Sequence, residues 1–372
     1  MAGSGFGTIF RVTTFGESHG AALGAIVEGC PAGLPLSEAD ITPFMARRRP
    51  GQNALSTPRK EADEAQILSG VFEGKTTGTP ICLLIRNTNA RSADYEHLRD
   101  VYRPGHADFG FSEKYGIRDH RGGGRSSGRE TAARVAAGAV AQILLRKLGI
   151  RCEAWLSAIG DLPIARGAEI SAGSPSACPS AAPAMADVSD SINRLLQRLR
   201  ETGDSVGSTV TLSVTGLPAG LGEPVFDKLD ANLAKAMFSI GAVKGLDIGD
   251  GHRAALSYGS ENNDAFRMED GRVVKASNHS GGILGGLSDG GELRLTVYFK
   301  PTPSISRPQM TVTKDGAETE LSIHGRHDPV IGPRAAVVVE AMAALVLADA
   351  LLVGMSSRLS DVESFYRARL TP

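Results

Sequence analysis

Two stretches rich in alanine, glycine and valine constrain the fold of this chain more than any other feature. Residues 129–148 and 334–353 read as helices by apolar spacing. Both are crowded with small side chains, as in Arg134-Val-Ala-Ala-Gly-Ala-Val-Ala and Arg334-Ala-Ala-Val-Val-Val-Glu-Ala. Small side chains let a helix approach another helix or a sheet closely, so both helices are expected at the centre, sandwiched between layers. The second contains the longest apolar run, Ala335 to Met355, but Glu340 and Asp349 interrupt it, and acids are expensive in lipid. It reads as a buried helix and not as a membrane span.

Further helices are predicted at 37–47, 188–202 and 227–238, and Gly7-Thr-Ile-Phe-Arg-Val-Thr-Thr-Phe alternates like a strand. Ala165 to Asp187, rich in Ala, Ser, Pro and Gly, is expected to be a surface loop. The two halves echo each other. Val27-Glu-Gly-Cys-Pro-Ala-Gly-Leu returns as Val214-Thr-Gly-Leu-Pro-Ala-Gly-Leu, Ser69-Gly-Val-Phe-Glu-Gly as Ser280-Gly-Gly-Ile-Leu-Gly, and the first small-residue helix as the second. The expectation is an α+β fold in one domain spanning 1–372. Its similar halves, about 1–160 and 205–372, would be linked by the loop near 165–187, with central helices between antiparallel sheets.

With 372 residues, 41% of them apolar, the chain can bury a large core. A net charge of −1 gives it no overall pull towards nucleic acid or an anionic membrane, so anion affinity must be local. Local clusters exist. Arg47, Arg48, Arg49, Arg59 and Lys60 lie together without an acid, and residues 86–134 hold nine arginines and three histidines. Four dispersed cysteines fit a reducing, cytoplasmic setting, and the N-terminal residues lack the pattern of a signal peptide.

Polar, Gly- and Arg-rich segments precede both small-residue helices: Arg121-Gly-Gly-Gly-Arg-Ser-Ser-Gly-Arg and His324-Gly-Arg-His-Asp-Pro. Helix N-termini attract anions, so two anion sites are expected. Gly123 to Glu130 nearly spells a phosphate loop, but Arg129 replaces the lysine and Glu130 the magnesium-holding hydroxyl, which argues for a phosphate that is bound and not hydrolysed. Gly16-Glu-Ser-His-Gly satisfies a serine-hydrolase pattern, although the β-branched run after it is wrong for a strand-to-helix elbow. His19 is the stronger candidate there, as an acid or base in an exposed turn. A second histidine, His106, lies in Arg103-Pro-Gly-His-Ala-Asp, where the acid could orient its ring. His324 and His327 lack a third ligand at recognisable spacing, so no metal is expected.

Taken together these segments resemble the chorismate synthase family almost end to end. The motifs, in the family's order, are Gly16-Glu-Ser-His-Gly through Glu28-Gly-Cys-Pro, Arg47-Arg-Arg-Pro-Gly, Arg103-Pro-Gly-His-Ala-Asp and Gly124-Arg-Ser-Ser-Gly-Arg-Glu-Thr. Ala242-Val-Lys-Gly with Ile248-Gly-Asp-Gly, Asn278-His-Ser-Gly-Gly-Ile-Leu-Gly-Gly, Lys300-Pro-Thr-Pro-Ser and Gly325-Arg-His-Asp-Pro follow.

The resemblance implies a lyase that removes phosphate and a ring proton from 5-enolpyruvylshikimate 3-phosphate by anti-1,4-elimination, with reduced FMN as cofactor and no net redox change. It implies a homotetramer and an NADP-linked flavin reductase outside the chain, and neither nucleic acid nor membrane as partner. By the same likeness His19 protonates the departing phosphate, His106 keeps the reduced flavin in its productive state, and Asp328 relays a proton. Ser18, Arg48, Arg103 and Arg129 would hold the substrate's phosphate and two carboxylates. Flavin contacts would come from Arg125, Ser126, Ser127, Gly241, Ala242, Gly285, Lys300, Pro301, Thr302, Pro303, Ser304 and Arg326. An anion-binding arginine that bacterial relatives often carry a few residues after the Arg-rich turn is missing, Pro50-Gly51 being followed by Gln-Asn-Ala-Leu-Ser-Thr-Pro before Arg59, which is left out of the expected site. Two other readings stay open: a module that binds FMN or RNA through its Arg-Gly loops without turnover, and a hydrolase with Ser18 as nucleophile.

Overall fold

Two five-stranded antiparallel sheets enclose the small-residue helices. The computed structural model describes residues 3–49, 63–88, 92–167, 183–323 and 328–370. The first half runs β1 (Gly5–Phe6), β2 (Arg11–Gly16), β3 (Ala22–Glu28), α1 (Glu38–Arg48), β4 (Ala65–Ile67), the hairpin β5 (Val71–Phe72) and β6 (Lys75–Thr76), β7 (Ile81–Arg86), α2 (Asp108–Tyr115) and α3 (Thr131–Lys147). The second begins with β8 (Arg151–Ile159), β9 (Leu162–Pro163), α4 (Pro183–Thr202), β10 (Ser208–Thr215), α5 (Leu229–Phe238) and β11 (Val243–Ile248). It continues through α6 (Gly259–Asn262), the hairpins β12 (Phe266–Glu269) with β13 (Arg272–Lys275) and β14 (Ile283–Leu284) with β15 (Leu287–Ser288), and β16 (Leu293–Phe299). The hairpin β17 (Gln309–Val312) with β18 (Glu318–Leu321), α7 (Gly332–Gly354) and α8 (Leu359–Leu370) complete it.

The sheet orders are β1-β2-β3-β7-β4 and β9-β8-β10-β16-β11. Four of the five strand places are filled in the same chain order, β2, β3, β4 and β7 in one sheet and β8, β10, β11 and β16 in the other, with α1 and α5 following β3 and β10, and α3 and α7 following β7 and β16; the edge strands differ, β1 preceding β2 and β9 following β8. Each two-residue hairpin, β5–β6 or β14–β15, precedes the equivalent strand.

Helix α3 lies on β2, β3 and β7, α7 lies on β8 and β10, and the two helices cross. Their crossing explains the small residues. A Cβ on Gly138 would stand 2.4 Å from the Ala341 Cβ and 2.6 Å from its Cα, so only glycine allows this approach. The sheets offer the period-2 faces that such helices need: Leu23, Ala25 and Val27 with Ile81, Leu83 and Ile85 on one side, Val210, Leu212 and Val214 with Leu293, Leu295 and Val297 on the other, all buried. Each buried Val, Leu or Ile contributes about 1.5–3 kcal/mol. Glu340, 1% exposed within α7, is neutralised by a bidentate Arg47 and accepts the Ala154 N–H at 2.7 Å, so the acid in the apolar run ties α1 and β8 to α7. By length and composition α7 would cross a membrane, yet most of its apolar surface is buried against the second sheet and helices α3, α5 and α1.

Three expectations differ from the structure. The strand predicted from Gly7 forms only from Arg11, because the Asp349 carboxylate of α7 accepts the N–H groups of Thr8, Ile9 and Phe10 and turns that backbone away from pairing. Helix α4 begins at Pro183, inside the segment expected to be loop. Helices α2 and α8 were not predicted: α2 is short, and α8 buries none of its residues, so neither carries a core-facing period.

Candidate active site

Gly16 ends β2 at φ +86°, and the chain turns through Glu17–Gly20 straight into β3. That geometry is not a strand-to-helix elbow. Ser18 Oγ is buried without a hydrogen-bond partner among the described residues. The His19 ring packs edge-on against Tyr95, 5.0 Å between centroids at 78°. Against both lies Gly122, at φ +141°, where a Cβ would come within 2.5 Å of His19 Cδ2 and 3.1 Å of Ser18 Oγ. Asn87, just past β7, holds the turn from below: its Nδ2 donates to the carbonyls of Glu17 at 3.0 Å and Gly20 at 2.9 Å. Its Oδ1 accepts from Arg129 Nε at 3.0 Å.

The Arg103–Asp108 loop meets the same glycine. Arg103 Nη2 donates to the Gly122 carbonyl at 3.0 Å and to Asp108 Oδ1 at 2.7 Å, while its Nε donates to Asp108 Oδ2 at 2.7 Å. His106 Nδ1 lies 2.8 Å from Asp108 Oδ1. Burial pushes the Asp108 carboxyl up, but hydrogen bonds from Arg103 and His106 outweigh it and hold the group well below the usual carboxylate range. Lys300 reaches this loop from the second half and donates its Nζ to the Gly105 carbonyl, with Pro303 beside the same glycine. Burial first, then the charge of Lys244, holds the Lys300 ammonium below its ordinary range.

Arg48 and Arg129 converge on Asp63, whose side chain is fully buried. Burial alone would raise this carboxyl, and the two guanidinium charges lower it. Arg48 is itself 1% exposed and also donates to Thr131 Oγ1 at 3.1 Å and the Gly128 carbonyl at 3.0 Å, which places both arginines at the N-terminus of α3. Arg334, at the start of α7, donates to the Arg48 carbonyl at 3.0 Å and to Asp328 Oδ2 at 2.7 Å. Both helix N-termini therefore feed one region.

Of the residues that the likeness gives to the flavin, Arg125 is tied to the Gly16 carbonyl at 3.0 Å and to Thr14 Oγ1 at 2.6 Å, bracing the glycine-rich loop against β2. Ser126 Oγ donates to the Gly123 carbonyl at 2.7 Å, and Ser127 Oγ caps the next turn by accepting the Arg129 N–H. Ala242 sits at φ +73°, and its carbonyl accepts the Lys300 N–H at 2.9 Å, so Gly241 and Ala242 adjoin the Lys300–Ser304 loop. Thr302 Oγ1 donates to the Asp328 carbonyl at 3.0 Å, and Ser304 is buried. Gly285 belongs to the β14–β15 turn, whose next residue, Gly286, accepts the Leu229 N–H of α5 at 2.8 Å. Arg326, Arg59, His324 and His327 lie outside the described residues. Direct contacts thus join Ser18, His19 and Arg103 around Gly122, with His106 following through Asp108 and Lys300 through Gly105, and Arg48, Arg129 and Asp328 lie alongside through Asn87 and Arg334. Sequence reasoning missed Asp63, Asn87, Gly122 and Arg334, because the contacts that define them span up to 286 positions of chain.

The family model for chorismate synthase matches residues 10–352. The chain belongs to the chorismate synthase family. It is 54% identical over 368 residues to the chorismate synthase of Lachnoclostridium phytofermentans, covering 99% of this chain and 100% of that one. It is likewise 54% identical over 360 residues to that of Methanocella arvoryzae, covering 95% of each. A crystal structure of a chorismate synthase superimposes with a TM-score of 0.72 at 32% identity, over 98% of both chains. Chorismate synthases are carbon–oxygen lyases of the final shikimate-pathway step, in aromatic amino acid biosynthesis, and this chain is an enzyme of that class.

Proposed function

We propose that this chain converts 5-enolpyruvylshikimate 3-phosphate to chorismate by anti-1,4-elimination, with reduced FMN as cofactor. The observation that carries the reading is the meeting of His19, Ser18, Arg103 and His106 around Gly122. Neither a passive binding module nor a Ser18 hydrolase accounts for two histidines set among buried arginines, and Ser18 lacks the elbow that a hydrolase needs.

The residues present fit an anionic flavin. Lys300 lies close enough to Lys244 to feel its charge, two cations suited to an anion, Gly241 and Gly285 have open space where a Cβ would stand, and Ser18 Oγ is a buried hydroxyl awaiting a partner among the described residues. Gly241, Ala242, Gly285, Lys300–Ser304 and the Arg125–Ser127 turn would hold it, and when bound it would supply transient electron donation without net oxidation. His19, steadied by Tyr95, donates a proton to the departing phosphate oxygen, and Ser18 Oγ hydrogen-bonds the same group. Arg48, Arg103 and Arg129, each already tied to Asp63 or Asp108, supply the positive charge that draws phosphate and carboxylates to this region. His106, with Nδ1 held by Asp108, would keep the reduced cofactor in its productive protonation state, and Asp328, held by Arg334, would pass on a proton at its carboxylate. We further infer a cytoplasmic homotetramer supplied with reduced flavin by a separate, NADP-linked reductase.

The test is an anaerobic assay for chorismate with photoreduced FMN. Turnover is expected to need reduced FMN and consume none. Equal activity with oxidised FMN, or one flavin oxidised per product, overturns the mechanism. His19→Ala and His106→Ala are each expected to lower kcat by about 10²–10⁴ with little change in KM.

A further inference from the structure

Asp108 stands two residues after His106 and opens α2, a placement that folds its carboxylate back under the loop carrying the histidine. It is 2% exposed and meets five donors. Oδ1 lies 2.8 Å from His106 Nδ1 and 2.7 Å from Arg103 Nη2. Oδ2 accepts Arg103 Nε at 2.7 Å and the Arg103 backbone N–H at 3.1 Å, and Arg118 Nη1 lies 2.9 Å from it. Arg118 is braced in turn by the carbonyls of Leu98 at 2.6 Å and Arg99 at 3.0 Å and lies over the Tyr102 ring.

An ionised carboxylate only accepts hydrogen bonds, so the hydrogen between it and His106 belongs to Nδ1. In the neutral ring Nε2 is then bare, and it has no hydrogen-bond partner among the described residues. A ring free to choose its tautomer would present the bare nitrogen on either side. Here that choice is removed, and the same oxygens set the direction of Arg103.

We infer that Asp108 is a positioning residue of the elimination proposed above, setting the tautomer and direction of His106 and the direction of Arg103 together. The inference rests on His106 being a working group of that reaction. No motif or likeness pointed to Arg118, which acts as the outer brace that keeps both carboxylate oxygens engaged.

Asp108→Asn separates this role from bulk packing. The amide oxygen takes the Oδ2 place, where three donors converge, and leaves its NH₂ facing His106 Nδ1. An NH₂ donates, so the ring must accept at Nδ1 and carry its hydrogen on Nε2, the reversed tautomer. Partners that orient a working histidine are worth about 10- to 100-fold, so kcat is expected to fall by that factor, and KM to rise as Arg103 loosens.

Two measurements test it. In the unmodified protein with ¹⁵N-labelled histidine, the His106 ring, assigned by its loss in His106→Ala, is expected to show the hydrogen on Nδ1 and a bare Nε2 in its neutral form. The opposite tautomer overturns the inference, and this reading stands even where Asp108→Asn fails to fold. In the anaerobic assay, Asp108→Asn added to His106→Ala is expected to lower kcat by less than about twofold further, because the carboxylate acts on turnover through that ring. A full second drop, or unmodified kcat in folded Asp108→Asn alone, overturns it. Absence of any chorismate formation by the unmodified protein would sink the proposed function, while the ring-nitrogen measurement still decides the Asp108 contact.

Discussion

Replacing Gly122 by alanine adds one methyl group at the point where both histidine loops meet. At φ +141° an L-residue is strained before any contact is counted, at about 1–3 kcal/mol. The new Cβ would lie 2.5 Å from His19 Cδ2 and 2.9 Å from its Nε2, against an ordinary contact of at least 3.4 Å. The shortfall is close to 1 Å. The imidazole is also packed edge-on against Tyr95, so the ring must break that contact and swing, or the turn must open. A misplacement of this size at a reacting group costs about 10²-fold in rate. Gly122→Ala is therefore expected to lower kcat about 100-fold in the anaerobic chorismate assay, approaching the loss in His19→Ala, while the protein stays folded. The expected unfolding deficit is only the strain, read as a lowered urea midpoint. A folded variant within twofold of the unmodified kcat would refute the placement of His19 against this glycine.

Arg129→Ala leaves Asp63 buried with one cation fewer and removes an anion ligand. It is expected to raise KM sharply and lower stability, a broken buried pair costing about 3–5 kcal/mol, checked by steady-state kinetics and urea unfolding. Acid should unfold the protein through Asp63 and Asp108. Both carboxyls are held below the ordinary 3.8, so the unfolded chain takes up protons first as pH falls. Their contribution is complete above about pH 4 and is lost as pH drops from 3.8 through the folded values; urea midpoints are expected to change little from these groups between pH 7 and 5 and to fall below pH 4, with Asp108→Asn less acid-sensitive. Gly138→Ala gains helix propensity but drives a Cβ into Ala341, and overpacking of about 1–3 kcal/mol is expected to win and lower the thermal midpoint; an unchanged or raised midpoint would place the α3–α7 crossing elsewhere.

The central helices were legible because their signal is local. A run such as Val135-Ala-Ala-Gly-Ala-Val has one efficient use, close packing between apolar layers, and α3 and α7 are packed that way. The turns carrying His19 and His106 stood out in the sequence for a similar reason, since a histidine beside glycine in a short polar turn has a short list of uses. Tertiary structure alone decided how the charges are paired. Arg103 was expected to face the substrate, and its Nε and Nη2 are committed to Asp108 and Gly122. Arg48 and Arg129 share Asp63, which no spacing singled out, and Asn87 joins the histidine turn to Arg129 across 42 residues. Ion pairs and hydrogen bonds form between side chains brought together by strand register and helix crossing, and neither leaves a periodic trace in the chain. Periodicity reports which face of an element is buried; what meets a polar group on that face depends on every other element of the fold.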